Sequence, residues 1–513
     1  MNGPDFLNRP LGARLEELQN NQQQFGDIMS LSDLNPQPLW RFFQLLCDTP
    51  RPSKQEQLLK SRIREALAEY ELEIIEDQVG NLIIRKPATP GYEDAPGVVM
   101  QSHLDMVPQK NEGSTHDFSK DPIQPYIDGD WVRARGTTLG ADNGIGVAAI
   151  LSVLTSKDMI HGPLEGLLTV DEEAGMSGAK GLQGGVLQGS LLLNLDTEEE
   201  NELYIGCAGG VDIGGRFTYQ AEPRDDRRQY WRIALKGLRG GHSGLDIHSG
   251  RGNALKLVNR ALDQLRKQFP ALRVASLTGG TLRNAIPREA FAIVAAPAEL
   301  GEAISRRVSE LQQLFLQELK SVEPHLHLTI SDTDSADLLP EDMVDRLQRV
   351  IFACPHGVFR MSADFPGVTE TSNNLARVVM DNGHIEVHCL ARSLVDSLRD
   401  DAAQSVAGVF ELAGAETSVG NSYPGWAPDK NSRLLDNLTR LHEKVVGVVP
   451  KIQVIHAGLE CGILGANYPH WDMISFGPTI RGAHSPDEAV HAPSVANFWK
   501  FLEAALAHLA KPA

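Results

Sequence analysis

The sequence predicts an α/β protein in which a domain with a helix-flanked mixed sheet is interrupted by an inserted α+β domain. Uninterrupted short apolar runs, such as residues 97–101 and 191–195, are typical of strands buried on both faces, and the helix-like segment 143–154 lies between them. Strand–helix alternation of this kind is the pattern of a layered α/β domain. The pattern changes near residue 212 and resumes after about residue 421, which predicts an insertion.

The inserted stretch has strand and helix signals of its own. Residues 253–269 predict a helix that Pro270 ends, and residues 302–322 and 341–354 predict two more helices. The dipeptide Asn382-Gly383 between two apolar segments predicts a tight hairpin. We therefore assign residues 32–211 and 421–513 to one domain, residues 212–420 to the insert, and the polar residues 1–31 to a mobile N-terminal extension.

Composition and charge exclude several classes of protein. The 67 acidic residues outnumber the 48 basic ones and give a formal net charge of −19, so a broad basic face for nucleic acid is not expected. No segment approaches the ~18 apolar residues that a membrane helix needs. The five cysteines are scattered and odd in number, which fits neither a disulfide framework nor a thiolate zinc site. We expect a cytoplasmic protein that binds neither nucleic acid nor membranes.

Carboxylates and histidines follow the predicted buried strands where each strand ends. Because ligand sites in open α/β sheets lie outside the carboxyl ends of the strands, these side chains are expected to meet at one edge. They are His103, Asp105, Asp142, Glu172, Glu173, Asp196 and His484. Each alone has an ordinary explanation as a loop histidine, a turn aspartate or a helix start. Together they would repel one another unless a cation lay among them, so the residues themselves leave a metal site and the ordinary explanations open.

The motifs around these residues resemble a known family. They are His103-x-Asp105, Gly140-Ala-Asp142-Asn-Gly, Glu172-Glu173-Ala-Gly, Asn194-Leu-Asp196 and Gly482-Ala-His484-Ser-Pro. In this order they are similar to the motifs of the co-catalytic di-zinc metallopeptidases, which include glutamate carboxypeptidase, peptidase T, peptidase V and carnosinase. Longer segments, at 101–110, 135–146, 237–244, 279–289 and 456–462, resemble the bacterial aminoacyl-histidine dipeptidases, also called peptidase D. The resemblance runs from about residue 34 to residue 509.

The resemblance implies two metal ions that share one ligand. One ion takes His103 and Asp196, and the other takes Glu173 and His484. Asp142 bridges the two. Zinc is the implied metal, although mixed histidine and carboxylate ligation also suits cobalt or manganese.

The resemblance also implies roles for residues beside the ligands. Asp105 would orient the ring of His103, and Glu172 would act as general base on the water between the metals before it protonates the leaving amine. The Asp142–Asn143 peptide bond is cis in the family. One departure is Asp171, which stands where the close relatives have threonine; we expect it to point away from the metals and to have little effect.

The insert is implied to be a lid domain over the catalytic domain. By resemblance, His242 stabilises the oxyanion, Asn284 and Arg392 bind the free carboxylate of the substrate, and Glu460 binds its amino group. A loop histidine, a strand-edge amide, a surface ion pair and a structural glutamate are the alternatives. In simpler members the histidine comes from a partner subunit. This insert is about double the usual size, as in the monomeric peptidase V, which favours supply by the same chain, and a homodimer stays the alternative.

The sequence therefore predicts a cytoplasmic metallodipeptidase that hydrolyses Xaa-His dipeptides such as β-alanyl-histidine. Within the same family, a broad-specificity dipeptidase, a tripeptidase or an N-acyl amino-acid hydrolase remains open. From another class, a catalytically inactive metal-binding scaffold would keep the same fold. The intact Glu172 and the full ligand set argue against that scaffold.

Overall fold

The computed structural model describes residues 30–511. The predicted N-terminal extension therefore lies outside the described residues, except for residues 30 and 31. Leu31 begins a short 3-10 helix, Leu31–Asp33, and its side chain is buried.

The described residues form helices and strands in close alternation at both ends of the chain. The helices are α1 Gln37–Cys47, α2 Gln57–Leu67, α3 Ala141–Thr155, α4 Glu172–Gly175, α5 Ser177–Gly181, α6 Ala254–Gln268, α7 Gly301–Leu319, α8 Glu341–Ala353, α9 Asp396–Leu412, α10 Arg433–Val446, α11 Glu460–Asn467 and α12 Ala492–Leu509, with a second 3-10 helix at Ala298–Leu300. The strands are β1 Glu73–Glu76, β2 Leu82–Lys86, β3 Val98–His103, β4 Pro125–Asp128, β5 Trp131–Ala134, β6 Leu164–Thr169, β7 Leu191–Asn194, β8 Glu202–Cys207, β9 Gly209–Thr218, β10 Gln229–Lys236, β11 Arg273–Gly279, β12 Ala290–Ala296, β13 His327–Asp332, β14 Gly357–Met361, β15 Thr369–Asp381, β16 His384–Ser393, β17 Glu416–Tyr423, β18 Lys451–Ile455, β19 Asp472–Ser475, β20 Ile480–Arg481 and β21 Ala489–His491.

The described chain divides into two compact units. The first unit contains residues 30–203, 433–451 and 471–511, and the second contains residues 204–432 and 452–470. The second unit thus includes residues 204–211, 421–432 and 452–470, which the sequence pattern assigned to the first domain. The roles of catalytic domain and lid stay predictions.

The first unit contains a mixed sheet with the order β1-β2-β6-β3-β7-β19. Strands β6, β3, β7 and β19 run parallel to one another, whereas β2 pairs antiparallel with both β1 and β6. Every residue of β3 and β6 is buried, as expected for strands covered on both faces. The predicted helix-flanked mixed sheet is confirmed. A second, antiparallel sheet has the order β20-β21-β5-β4.

Helix α3 packs closely against the end of β3 because it carries a glycine at the contact. A Cβ on Gly146 would lie 2.3 Å from the Ser102 Oγ and 2.7 Å from the Leu195 carbonyl oxygen. No larger residue fits there without moving backbone. The short distance holds the start of the helix beside the ends of the strands.

The second unit contains an antiparallel sheet with the order β13-β10-β12-β11-β15-β16-β9-β17, and β14 pairs with β15. Buried apolar side chains of helices α6 to α9 pack with those of the strands in one core. Strands β15 and β16 form the predicted hairpin, with Asn382 and Gly383 both at positive φ, as a type I′ turn requires. The predicted α+β architecture is confirmed. Across residues 30–511, no helix has the length and apolar character to span a membrane.

Candidate metal centre

The predicted ligands of the first unit lie where the parallel strands end. His103 is the last residue of β3, Glu172 and Glu173 follow β6, and Asp196 follows β7. His103 pairs with Thr169 at the end of β6, and Gln101 pairs with Asn194 at the end of β7. The carboxyl ends of these adjacent strands therefore meet at one edge of the sheet, where α/β proteins place their ligands.

The first ligand group consists of His103, Asp142 and Asp196, whose ligand atoms all lie within 4.8 Å of one another. The Nε2 atom of His103 is 3.1 Å from Asp142 Oδ1 and 3.4 Å from Asp196 Oδ1. The imidazole itself is only 1% exposed. The Oδ1 atom of Asp142 thus belongs to this group.

The second ligand group consists of Asp142, Glu173 and His484. The Nε2 atom of His484 is 3.2 Å from Asp142 Oδ2 and 3.0 Å from Glu173 Oε2. Asp142 therefore contributes Oδ1 to one group and Oδ2 to the other. The structure brings together all five residues that the resemblance implied as ligands.

Asp105 connects His103 to the start of helix α4. Its backbone carbonyl is 3.1 Å from His103 Nδ1, and its Oδ1 is 3.4 Å from the same nitrogen. Its two carboxylate oxygens accept the backbone N–H groups of Glu172 and Glu173, at 3.0 and 3.1 Å. The Glu172 carboxylate also lies within 4.8 Å of ligand atoms of His103 and Glu173. Asp105 thus fixes the neighbouring ligand and the predicted base together.

The donor set fits divalent cations. Burial raises the pKa of Asp196 to about 6, and the charges of Asp142 and Glu173 add to this rise. Hydrogen bonds to Asp142 and Glu173 raise the pKa of His484 to about 11, so the carboxylates strongly favour positive charge at this place. Glu173 Oε1 is buried without a hydrogen-bond partner. Imidazole and carboxylate donors of this kind suit zinc and its neighbours in the first transition series.

Two residues that the sequence analysis missed hold the loop before Asp142. Glu488 is buried, and its carboxylate accepts the backbone N–H groups of residues 139–142 at 2.7 to 3.2 Å. Arg51 is buried as well and donates to the carbonyls of Leu104, Asp105 and Gly140. The position of Glu488 four residues after His484 was a usable signal. Nothing in the sequence near Arg51 indicated its role.

A third missed residue, Glu198, lies two positions after Asp196. Burial raises the pKa of its carboxyl to about 8, and Asp142, Asp196 and Glu488 contribute further. It therefore adds another acidic group to an already acidic region.

Two expectations close to the ligands concern a peptide bond and the departure at Asp171. The Asp142–Asn143 peptide bond is cis, as predicted. Asp171 is buried, and its Oδ2 accepts a hydrogen bond from Ser177 Oγ at 2.6 Å. Its carboxylate belongs to neither ligand group, which agrees with the expectation that it points elsewhere.

The second unit holds His242 and Arg392 in one network. His242 lies in the turn after β10, and its Nδ1 accepts the backbone N–H groups of Gly244 and Leu245 at 3.2 and 3.1 Å. The guanidinium of Arg392, which is 4% exposed, donates to Ser243 Oγ at 3.2 Å and to the Tyr423 hydroxyl at 2.7 Å. Its third nitrogen is 3.5 Å from His242 Nε2.

The other two predicted substrate residues differ in exposure. Asn284 is exposed, and its backbone carbonyl accepts the N–H of Ser243 at 2.8 Å, so its loop is tied to the loop of His242. Glu460 is the first residue of α11 and is fully buried. The sequence alone could not distinguish these two environments.

Comparison with known proteins identifies the family. A model described as "Peptidase family M20/M25/M40" matches residues 99–508. The chain is 48% identical over 477 residues to the cytosol non-specific dipeptidase of Escherichia coli K12, covering 93% of this chain and 98% of that protein. The crystal structure of aminoacylhistidine dipeptidase from Vibrio alginolyticus is 46% identical, with a TM-score of 0.80 over 94% of this chain and 98% of that chain.

A more distant solved structure shows the same fold. It is a tripeptidase from Staphylococcus aureus, 16% identical, with a TM-score of 0.55 over 93% of this chain and 100% of that chain. The family model covers most of the chain, and the E. coli relative matches nearly its full length at high identity. The prediction of a peptidase from the motifs is confirmed, and the chain belongs to peptidase family M20/M25/M40.

Proposed function

We propose that this protein is a cytoplasmic dipeptidase that uses two divalent metal ions and prefers dipeptides with a C-terminal histidine, such as β-alanyl-histidine. The observation that carries the proposal is the sharing of Asp142 between two ligand groups of the first unit. The names of the E. coli dipeptidase and the Vibrio aminoacylhistidine dipeptidase support the reaction. The word cytosol in the E. coli name and five buried free cysteines support the location.

Zinc is the metal that we propose for both positions, with His103 and Asp196 holding one ion and Glu173 and His484 the other. Asp142 would be the ligand that both ions share, because its Oδ1 and Oδ2 lie at nearly equal distances, 3.1 and 3.2 Å, from the flanking imidazoles. When bound, the ions supply Lewis acidity, which polarises the scissile carbonyl and lowers the pKa of water. Cobalt and manganese suit the same donors.

Glu172 is the proposed general base. Its backbone N–H donates a hydrogen bond to Asp105, which fixes the backbone of Glu172 and so keeps its side chain beside the ligands. The carboxylate takes a proton from the attacking water and passes it to the leaving amine. Both glutamates lie in groups of possible metal ligands, but only Glu173 shares a group with Asp142 and His484, so we assign metal binding to Glu173 and proton transfer to Glu172.

His242 is the proposed donor to the oxyanion. Its Nδ1 accepts two backbone N–H groups, so the neutral ring carries its proton on Nε2. An Nε2–H donates a hydrogen bond to an anionic oxygen without any change of protonation. The hydrogen bond from the His242 backbone N–H to Asp246, at 2.8 Å, stabilises the turn that presents this ring.

The same histidine allows a test of whether it acts within its own chain, as we propose from the size of the insert. His242→Ala and Glu172→Gln are each expected to be inactive. Mixing the two purified variants should restore no activity if each chain supplies its own histidine. Restored activity would place His242 across a homodimer.

Arg392 is the proposed binding partner of the substrate's free carboxylate. It is buried, yet it forms no ion pair with any carboxylate of residues 30–511, and its hydrogen-bond partners Ser243 and Tyr423 are neutral. A buried charge without a counter-charge is unfavourable, so an anionic ligand suits this position. The exposed amide of Asn284 is the second proposed contact to the carboxylate.

Glu460 is the proposed partner of the substrate's amino group, and a structural role at the start of α11 is the alternative. The two are separated by comparing Glu460→Gln on a free dipeptide and on one whose amino group is acetylated. A binding role predicts a loss on the free dipeptide alone. An equal loss on both would favour the structural role.

Substrate preference is the part of the proposal with a serious rival. The E. coli relative is named non-specific, which favours a broad dipeptidase, whereas the Vibrio relative is named for aminoacyl-histidine. The discriminating measurement is the kcat/KM of the metal-loaded protein on a panel of Xaa-His, Xaa-Leu, tripeptide and N-acyl amino-acid substrates. Equal turnover of Xaa-His and Xaa-Leu would remove the histidine preference and leave the dipeptidase.

The same panel with a chelator tests the class of function. Chelation should abolish hydrolysis, and added zinc, cobalt or manganese should restore it. A protein with two ions bound per chain and no activity on any member of the panel would support the inactive scaffold.

A further inference from the structure

Four neighbouring strands of the second unit place one residue each in a single row across the sheet. Ser372 on β15 pairs with Arg392 on β16, Arg392 pairs with Gly210 on β9, and Gly210 pairs with Tyr423 on β17. Directly paired residues of antiparallel strands point to the same face. A register shift between Gly420 and Tyr423 brings the tyrosine opposite the glycine.

The glycine in this row lets the tyrosine reach the arginine across an intervening strand. Two strand spacings amount to roughly 9.6 Å, so side chains on β16 and β17 ordinarily have a third side chain between them. A Cβ on Gly210 would lie 2.6 Å from both Cζ and the hydroxyl oxygen of Tyr423. The tyrosine ring therefore occupies the space that any other residue at position 210 would fill. Its hydroxyl accepts a hydrogen bond from Arg392 at 2.7 Å.

The guanidinium is held at a second point and the tyrosine is itself anchored. Ser243, which is buried, accepts a hydrogen bond from Arg392 Nε at 3.2 Å. The backbone carbonyl of Tyr423 accepts a hydrogen bond from Arg399 at 2.7 Å. Arg399 in turn pairs with Asp396 at 3.0 Å. Ser243 and Tyr423 contact Arg392 through neutral hydroxyls, so they fix its plane without neutralising its charge, and the remaining guanidinium nitrogen lies 3.5 Å from His242 Nε2.

We infer that Tyr423, through the gap over Gly210, and Ser243 are positioning residues that hold the Arg392 guanidinium in the orientation that binds a carboxylate. This inference rests on the proposed carboxylate role of Arg392. A guanidinium already fixed in one rotamer loses less freedom when the ligand binds, so preorganisation appears in affinity. The carboxylate also meets a planar pair of N–H donors in a fixed direction.

The test compares the free dipeptide β-alanyl-histidine with its C-terminal amide on the metal-loaded enzyme. Tyr423→Phe keeps the ring over Gly210 and removes only the hydroxyl. It should reduce the ratio of kcat/KM for the free dipeptide to that for the amide by about tenfold, mainly through KM, since a hydrogen bond to a charged group is lost. Metal content should be unchanged. Tyr230→Phe is the matched control, because Tyr230 is also buried and accepts a hydrogen bond, from the Asp225 N–H at 2.9 Å, far along β10.

Two further variants separate positioning from general damage. Gly210→Ala should lower the same ratio as Tyr423→Phe, because the added methyl group displaces the ring. In an Arg392→Ala background, Tyr423→Phe should have no further effect on the ratio, since the group that it orients is gone. A Tyr423→Phe variant that slows both substrates equally, or that keeps its effect without Arg392, would overturn the inference.

Arg392→Ala alone distinguishes this inference from the proposal beneath it. If Arg392→Ala leaves the ratio unchanged, the carboxylate role of Arg392 fails. If Arg392→Ala lowers the ratio and Tyr423→Phe does not, only the positioning role fails.

Discussion

The two compact units bury charge in opposite ways. The first contains the ligand cluster, defined as His103, Asp142, Glu173, Asp196 and His484, in which carboxylates crowd together and raise the pKa values of nearby groups. The second contains the arginine network, in which the guanidinium of Arg392 is surrounded by neutral hydroxyls. The ligand cluster therefore favours the binding of cations, and the arginine network favours the binding of an anion. The charge of a ligand can therefore be inferred from the charge that its protein partners leave uncompensated.

The largest expected effect separates two adjacent residues of the first unit. Glu172→Gln should lower kcat by roughly 10²- to 10⁴-fold or more, because general-base catalysis is lost. Its metal content should stay near that of the wild type. Glu173→Gln should instead lower metal content. Both are measured by steady-state kinetics and elemental analysis of the same samples. Reversed phenotypes would exchange the roles of the two glutamates.

The next effect tests how the ligand cluster is supported. Glu488→Gln replaces an oxygen acceptor by an N–H donor facing the backbone amides before Asp142, so metal affinity should fall by about 10- to 100-fold. Titration against a chromogenic chelator measures it. The matched control is Glu165→Gln, since Glu165 is also buried and accepts two backbone N–H groups, at residues 188 and 189. An equal loss in the control would show that the effect is general destabilisation.

A smaller effect tests the anion side of the comparison. Arg392→Lys keeps the positive charge but removes the planar pair of donors, so the KM for a free dipeptide should rise by about tenfold. Metal content should not change, because no ligand is altered. Unchanged KM values for the free dipeptide and for its amide would show that a charge alone suffices at this position.

A final prediction concerns acid stability in the second unit. Burial lowers the pKa of His456 to about 3 from 6.5, and the charge of Arg392 contributes to this shift. As the pH falls, the unfolded chain therefore takes up a proton at this group before the folded chain does, so the group lowers stability progressively between roughly pH 6.5 and 3. Urea unfolding of His456→Gln should show a shallower loss of stability over this range. Parallel pH profiles for the variant and the wild type would contradict the prediction.

The strand ends of the first unit were predictable, and the reason is local. His103, Glu173 and Asp196 each lie at or just after the end of a short apolar strand, and parallel strands bring their ends to one edge whatever the intervening sequence contains. Asp142 instead lies at the start of α3 and His484 follows β20, so these two were implied by the family motifs alone. The polar stretch 369–374 was not predicted as strand, because its Thr, Ser and Asn residues are typical of loops. In the structure it forms the first half of β15, and Ser372 bonds His456 at 2.8 Å.

The arginine network was predictable only in part. Arg392 was identified from the family resemblance, but no motif or pattern singled out Tyr423. It ends β17 opposite Gly210, after a register shift that no local pattern announces. The contact between Tyr423 and Arg392 depends on how strands that are distant in sequence pair with one another. The residue pattern within one segment does not specify that pairing.

The four amide hydrogens that Glu488 accepts have a consequence for substrate binding. Successive backbone N–H groups at the start of a helix form a concave nest that attracts anions. Here the nest before α3 already holds an internal anion, the chain's own carboxylate, at 2.7 to 3.2 Å. An incoming peptide therefore finds no free backbone nest for its own carboxylate at this helix, which agrees with the proposal that the side chain of Arg392 binds that charge.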